Sequence, residues 1–287
     1  MTPVGSRTPP IAYHQTAQRC CQRKHERTGE PMDTRAEAGY AAIWTTEGTS
    51  GEKTVTEAKW LACTDPTPMW DCLWEKGSKR KRRLFACACC RRIWHLLAKQ
   101  PEAFRHLVEL SEQAADGLVT HDQLDDAWPY DEIEFSDCSD WSDETGAALA
   151  ASGVSVRWDY QGAQQFAAAA ATGQPHHYHL DPTIPAVAAE LNAQANLLRC
   201  LFGNPFRPVT ISPRVLAWNN AVVVRLAQAG YEERQLPSGT LDNGRLAVLA
   251  DALDEAGCSD PDILGHLRKS GPHVRGCWPV DLLLGKS

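Results

Sequence analysis

The chain has 287 residues, 43% hydrophobic and 23% charged, with a formal net charge of -7. These values suit a globular chain with a sizeable core, and the negative balance argues against a chain-wide nucleic-acid binder. No apolar run approaches the ~20 residues of a membrane span. The eleven cysteines follow no small-domain disulfide framework behind a secretory leader, so the expected setting is the cytoplasm, with reduced thiols.

Residues 1–54 are rich in Thr, Arg, Gly, Pro and Gln and carry no helical or alternating period. Such a segment buries too little apolar surface to offset its ordering entropy, and is expected to be a disordered tail or an upstream extension outside the fold. The pattern changes at VTEAKWLACTDPTPM, where Thr56 suits an N-cap and Trp60 opens a buried face. Asp65 with Pro66 and Pro68 starts a short helix through Met69, Cys72 and Leu73. Ser78 caps a long helix reaching about Lys99, with Ala86, Cys89, Cys90, Ile93 and Leu97 as its apolar stripe. A helix over Glu102–Asp116 ends at Gly117, and Thr120 caps a further turn or two to about Ala127.

Residues 128–182 form a variable-looking insert: an acidic, turn-rich stretch, alanine-rich helical segments and GQPHHYHLDP. Helical order returns in residues 183–287. Val187, Leu191, Ala195, Leu198 and Phe202 share one face, closed by Gly203. Ser212–Pro213 opens a helix through Trp218, Val222–Tyr231 is helical, and Asp242–Ala256 is followed by Gly257. Ser259 is the expected cap of a helix carrying Ile263, Leu264 and Leu267, and Cys277–Leu284 is a last apolar turn. With no convincing strand period, the expected fold is all-α: an irregular multi-helix bundle whose halves, residues 55–127 and 183–287, share a core.

TEAKWLACTDPTPM, RLFACACCRRIWHLL, LFGNPFRPV and GPHVRGCWPVDLLLGK resemble segments of a bacterial protein family associated with planctomycete genomes, where it is expanded into many paralogues. The resemblance covers about residues 55–117 and 186–287. It implies no activity, cofactor or catalytic residue. Members of that family usually begin Met-Thr-Glu-Ala; Val55 stands at the Met position here, which fits an alternative start codon and a mis-called extension before it.

Several residue sets bear on chemistry. Cys87 and Cys90 share a helix face and could give two ligands to one metal, but a zinc ion needs four. A buried free cysteine packs as a small hydrophobe, and a reactive thiol activated by Arg91 and Arg92 is the third option. Cys258, His266, His273 and Cys277 form a second Cys/His set without the tight Cys-x-x-Cys pair of a standard finger. Zinc is the ion either set would take, although packing explains both and no cofactor is required. His176, His177 and His179 read as a solvated loop.

Lys79, Arg80, Lys81, Arg82 and Arg83 sit at a helix N-terminus, the unfavourable end for cations. An internal acidic partner or a solvated face is expected there, with a protein or nucleic-acid partner as the alternative. GNPFRPV and GPHVRGCW are read as neighbouring joints. In them Arg207 and Arg275 bond helix C-terminal carbonyls while Phe206 and Trp278 fill the core. The expected function is a non-enzymatic helical interaction or scaffold module with a protein partner and no membrane. A metal- or thiol-dependent enzyme is one alternative, and a nucleic-acid binder is another.

Overall fold

The computed structural model describes residues 55–73, 77–128, 160–173 and 180–286, with Ala147, Ala150 and Ala151 besides. The expectations for residues 1–54, for most of the acidic stretch and for His176, His177 and His179 fall outside these. Twelve helices follow in order among the described residues: α1 Glu57–Ala62, α2 Pro66–Leu73, α3 Lys79–Arg92, α4 Trp94–Leu97, α5 Glu102–Ala115, α6 His121–Asp126, α7 Tyr160–Thr172, α8 Pro185–Phe202, α9 Pro213–Glu232, α10 Asn243–Glu255, α11 Pro261–Arg268 and α12 Trp278–Leu284. No strand is formed among them; two isolated antiparallel bridges join Gln235 to Thr240 and Thr240 to Val274. The fold is all-α, and one hydrophobic core runs from Trp60 to Leu283 through both halves. No described helix is long and apolar enough to cross a membrane.

The caps expected at Thr56, Ser78, Thr120 and Ser212 are all formed, and Asp242 caps α10 as well. Thr120 and Gln123 make a reciprocal capping box. At the end of α5 the Leu118 amide bonds the Gln113 carbonyl and the Gly117 amide bonds that of Ala114, a Schellman closure. Asp260, not Ser259, caps α11: its Oδ1 accepts from the amides of Asp262 at 2.9 Å and Ile263 at 3.0 Å.

α3 is the central helix. It packs on α5, α7 and α8, and its nine residues from Arg83 to Arg91 are all buried. A helix apolar on one stripe needs one neighbour; one buried on every side needs several. This explains the composition of LFACACC. Alanine and cysteine keep the side chains short, and α7 answers with buried Ala163, Ala167, Ala168, Ala169 and Ala170, so the helix axes can come close. The helix does not continue to Lys99: at Ile93 the backbone leaves helical geometry (φ -104, ψ 22) and α4 starts afresh. α9 is likewise two helical stretches joined across Trp218–Ala221, with Asn219, Asn220 and Ala221 at positive φ.

The basic run, Lys79 apart, is at least half-buried. Arg80 donates to Asp281 Oδ2 at 2.6 Å, to Asp116 Oδ1 at 3.0 Å and to the Tyr231 hydroxyl at 2.8 Å. Lys81 donates to the Leu201 carbonyl at 2.6 Å, Arg83 is buried and Lys79 is exposed. Two carboxylates from distant parts of the chain thus offset cations at the α3 N-terminus. Deeper on α3, Arg91 grips both oxygens of Glu112 at 2.6 and 2.8 Å, and Arg234 holds the same carboxylate at 3.0 Å on each oxygen.

Candidate metal centre

The C-terminal halves of α8 and α11, and the loop leading into α12, meet at a cluster of four donors. Cys200 lies in the last turn of α8 between Leu197, Leu198 and Leu201, all buried. His266 lies in the last turn of α11. His273 and Cys277 come from GPHVRGCW, which runs between α11 and α12. This loop is pinned on three sides. The Leu241 amide donates to the His273 carbonyl at 2.8 Å, and the Cys277 amide to the Val274 carbonyl at 2.9 Å. The Arg275 Nε donates to Asp116 Oδ2 at 2.9 Å, and the guanidinium stacks 5.0 Å from the Tyr231 ring. Gly276 is required at the turn. Its φ is +89, and a Cβ there would lie 2.7 Å from Leu84 Cδ1 and 2.9 Å from Leu201 Cδ2.

The ligand atoms of Cys200, His266, His273 and Cys277 all lie within 4.8 Å of one another. Cys277 Sγ is 3.3 Å from His266 Nε2 and 3.7 Å from His273 Nδ1. A tetrahedral zinc ion with ordinary Zn–S and Zn–N bonds sets its ligands ~3.3–3.8 Å apart, a range that both Cys277–histidine separations meet. The other nitrogen of His273, Nε2, lies 3.0 Å from the Lys269 carbonyl. Donation there leaves the Nδ1 lone pair facing Cys277, the backbone-carbonyl support typical of a metal-bound histidine. The two imidazoles stand edge-on at 4.8 Å and 72°. Cys277 is fully buried, His273 is 2% exposed and Cys200 3%.

The protonation pattern follows the packing. Hydrogen bonding from Cys277, aided by the two imidazoles, outweighs burial and holds the Cys200 thiol well below its usual range. Burial and the neighbouring sulfur push Cys277 well up. Burial opposes the charged form of His273, but the Cys200 sulfur overcomes it and raises the imidazole. The thiolate favoured at Cys200 is a ready metal ligand, and the protons on the other donors are what a divalent cation displaces on binding.

Of the residues singled out in the sequence, His266, His273 and Cys277 come together, and Cys200 completes them. The other three are elsewhere. Cys87 and Cys90 sit on α3 at zero exposure, with Cys87 Sγ 3.9 Å from the Val108 carbonyl of α5. Burial raises both thiols well above their ordinary value. Cys258 follows α10, is buried, and uses its amide on the Leu253 carbonyl. The roles assigned to the two joint arginines also change. Arg207 pairs with Glu57 Oε1 at 2.6 Å and Arg275 with the Asp116 side chain, neither with a helix-end carbonyl. The joints do adjoin: a Cβ on Gly203 would lie 3.1 Å from the Trp278 ring. Phe206 and Trp278 are half-buried against the core. Trp278 also stands edge-on to His266 at 5.6 Å.

Comparison of the chain with protein-family models, with curated proteins and with solved structures finds no match.

Proposed function

We propose that this chain is a helical interaction module whose C-terminal half is fastened by a structural zinc ion on Cys200, His266, His273 and Cys277. The observation that carries the reading is the convergence of four donors, two sulfur and two nitrogen, within 4.8 Å of one another, three of them buried and His266 half-buried. A Cys2His2 set suits zinc. Catalytic zinc sites keep a position open for water or substrate with three protein ligands, whereas four protein ligands close the shell. The set therefore supports a fastening role over a metal-dependent reaction. A Cys–His nucleophile is disfavoured by the burial of Cys200, which leaves a substrate no approach. The nucleic-acid reading loses support because Arg80 is paired with Asp116 and Asp281 inside the fold and Lys81 donates to the Leu201 carbonyl there rather than facing outward on a basic strip.

Metal analysis of protein purified without a His-tag tests this. About one zinc per chain is expected, retained through dialysis, with Cys200→Ser and Cys277→Ser each losing it. Cys87→Ser and Cys258→Ser should retain it. A metal-free native chain, or zinc that survives both cluster substitutions, would reject the assignment. Iron in place of zinc would turn the site into a redox centre and reject the structural role.

A further inference from the structure

Beside the metal cluster, on the far side of Trp278, a cleft of about 220 Å³ opens between the end of α8 and the start of α12. Its apolar walls include Trp278, Phe202, Val209 and Leu282, and its polar lining includes Lys81, Lys286 and the acidic Asp281. The charge behind the cleft is unequal. Arg80, Lys81, Arg275 and Lys286 share only two carboxylates, Asp116 and Asp281. Arg207 at the rim is matched by Glu57, and exposed Asp262, also on the rim, offsets one further charge. Among the described residues one positive charge is left over, next to low-dielectric walls that concentrate its field.

The two lysines carry that excess. Lys81 gives one N–H to the Leu201 carbonyl and stops 3.7 Å from Asp281 Oδ2. Lys286 stops 3.6 Å from Asp116 Oδ1, its ammonium 4.7 Å from the Tyr231 ring. An ammonium has three donors, so both retain N–H groups for a further acceptor. Burial lowers the Lys81 pKa despite Asp281, in keeping with too little negative charge around it.

We propose that this cleft binds a small organic anion: a carboxylate or phosphomonoester head on Lys81 and Lys286, joined to a flat apolar body lying against Trp278 and Phe202. Size agrees with this. A cavity of ~150 Å³ accepts a benzene ring, so this one accepts a ring with a short anionic arm. Pockets of this kind, apolar with a few convergent charges, are the common form of small-molecule sites. The inference rests on the cleft alone and stands whether or not zinc occupies the neighbouring cluster.

Calorimetric titration of the full chain with phenylacetate, with phenyl phosphate and with neutral 2-phenylethanol tests it. Either anion should bind, at least about tenfold more tightly than the alcohol, and the tighter of the two identifies the head group. Lys286→Gln should weaken binding about tenfold and Val209→Trp, which fills the cleft without touching a charge, should abolish it. Thermal melting confirms that each variant is folded. Absence of binding by both anions at about 10 mM rejects the proposal. So does equal binding of the alcohol, or unchanged binding by folded Val209→Trp.

Discussion

The thiols of Cys87, Cys89 and Cys90 are held neutral by complete burial, which raises all three well above their ordinary value. They should therefore resist a thiol reagent in the native protein and react together once denaturant opens α3, as a mass-spectrometric time course would show. Fast native labelling of any one would mean that α3 is not the centre of the bundle. The contrast with Cys200 and Cys277 shows what sequence can and cannot convey about a cysteine. On a helix, a ligand and a packing residue occupy the same kind of apolar position. His266, His273 and Cys277 stood out because GPHVRGCW is an unusual loop close to a histidine. Cys200 did not, because LLRCLF is an ordinary amphipathic run and its partners lie 66 or more positions away. Only the docking of α12 and its loop on α8 brings it into the cluster.

Among the elements, helix starts were legible at most places where a side chain closes the first turn locally, as at Ser78 and Thr120, although Ser259 was read in place of its neighbour Asp260. The break at Ile93 was not, since it carries no proline or glycine to announce it, whereas the gap left between the helix through Trp218 and the one from Val222 coincides with the positive-φ turn at Asn219–Ala221. The sense of the basic run was also hidden, because its counter-charges come from α5 and α12. Glu112 binds α3 to α5 in the same way. Burial pushes its carboxyl up, but Arg91 and Arg234 outweigh that and hold it below the ordinary carboxylate value. A carboxyl depressed in the folded state contributes its full stability above the unfolded value near ~4.3 and loses it as pH falls through the lower folded value. Acid unfolding below about pH 4 should accordingly be milder in slope for Glu112→Gln. At neutral pH that variant should be less stable by about 3–5 kcal/mol, because it strands two buried cations. Chemical denaturation across pH measures both. An equal stability at neutral pH would show that Arg91 and Arg234 find other partners.

At the scale of the molecule, the two helical halves share one core, so metal removal should loosen one region before the whole. Hydrogen exchange with and without a chelator should show residues 261–285 opening while α3, α5 and α7 keep their protection. At free zinc ~1,000-fold above Kd the bound ion adds about 4 kcal/mol, roughly ten degrees in Tm for a chain of this size. Uniform deprotection, or none, would separate the cluster from the stability of this region. The wide sequence separation of the donors has one more outcome. His266, His273 and Cys277 are near neighbours in the chain, whereas Cys200 is distant. An ion captured by the trio and then by Cys200 ties off a loop of more than sixty residues. A cross-link of that span removes about 4 kcal/mol of chain freedom from the denatured ensemble, by the loop-entropy relation used for disulfides. Such a clip would act chiefly on the polymer that is not yet folded, narrowing the arrangements it can sample before α8 and α12 have met.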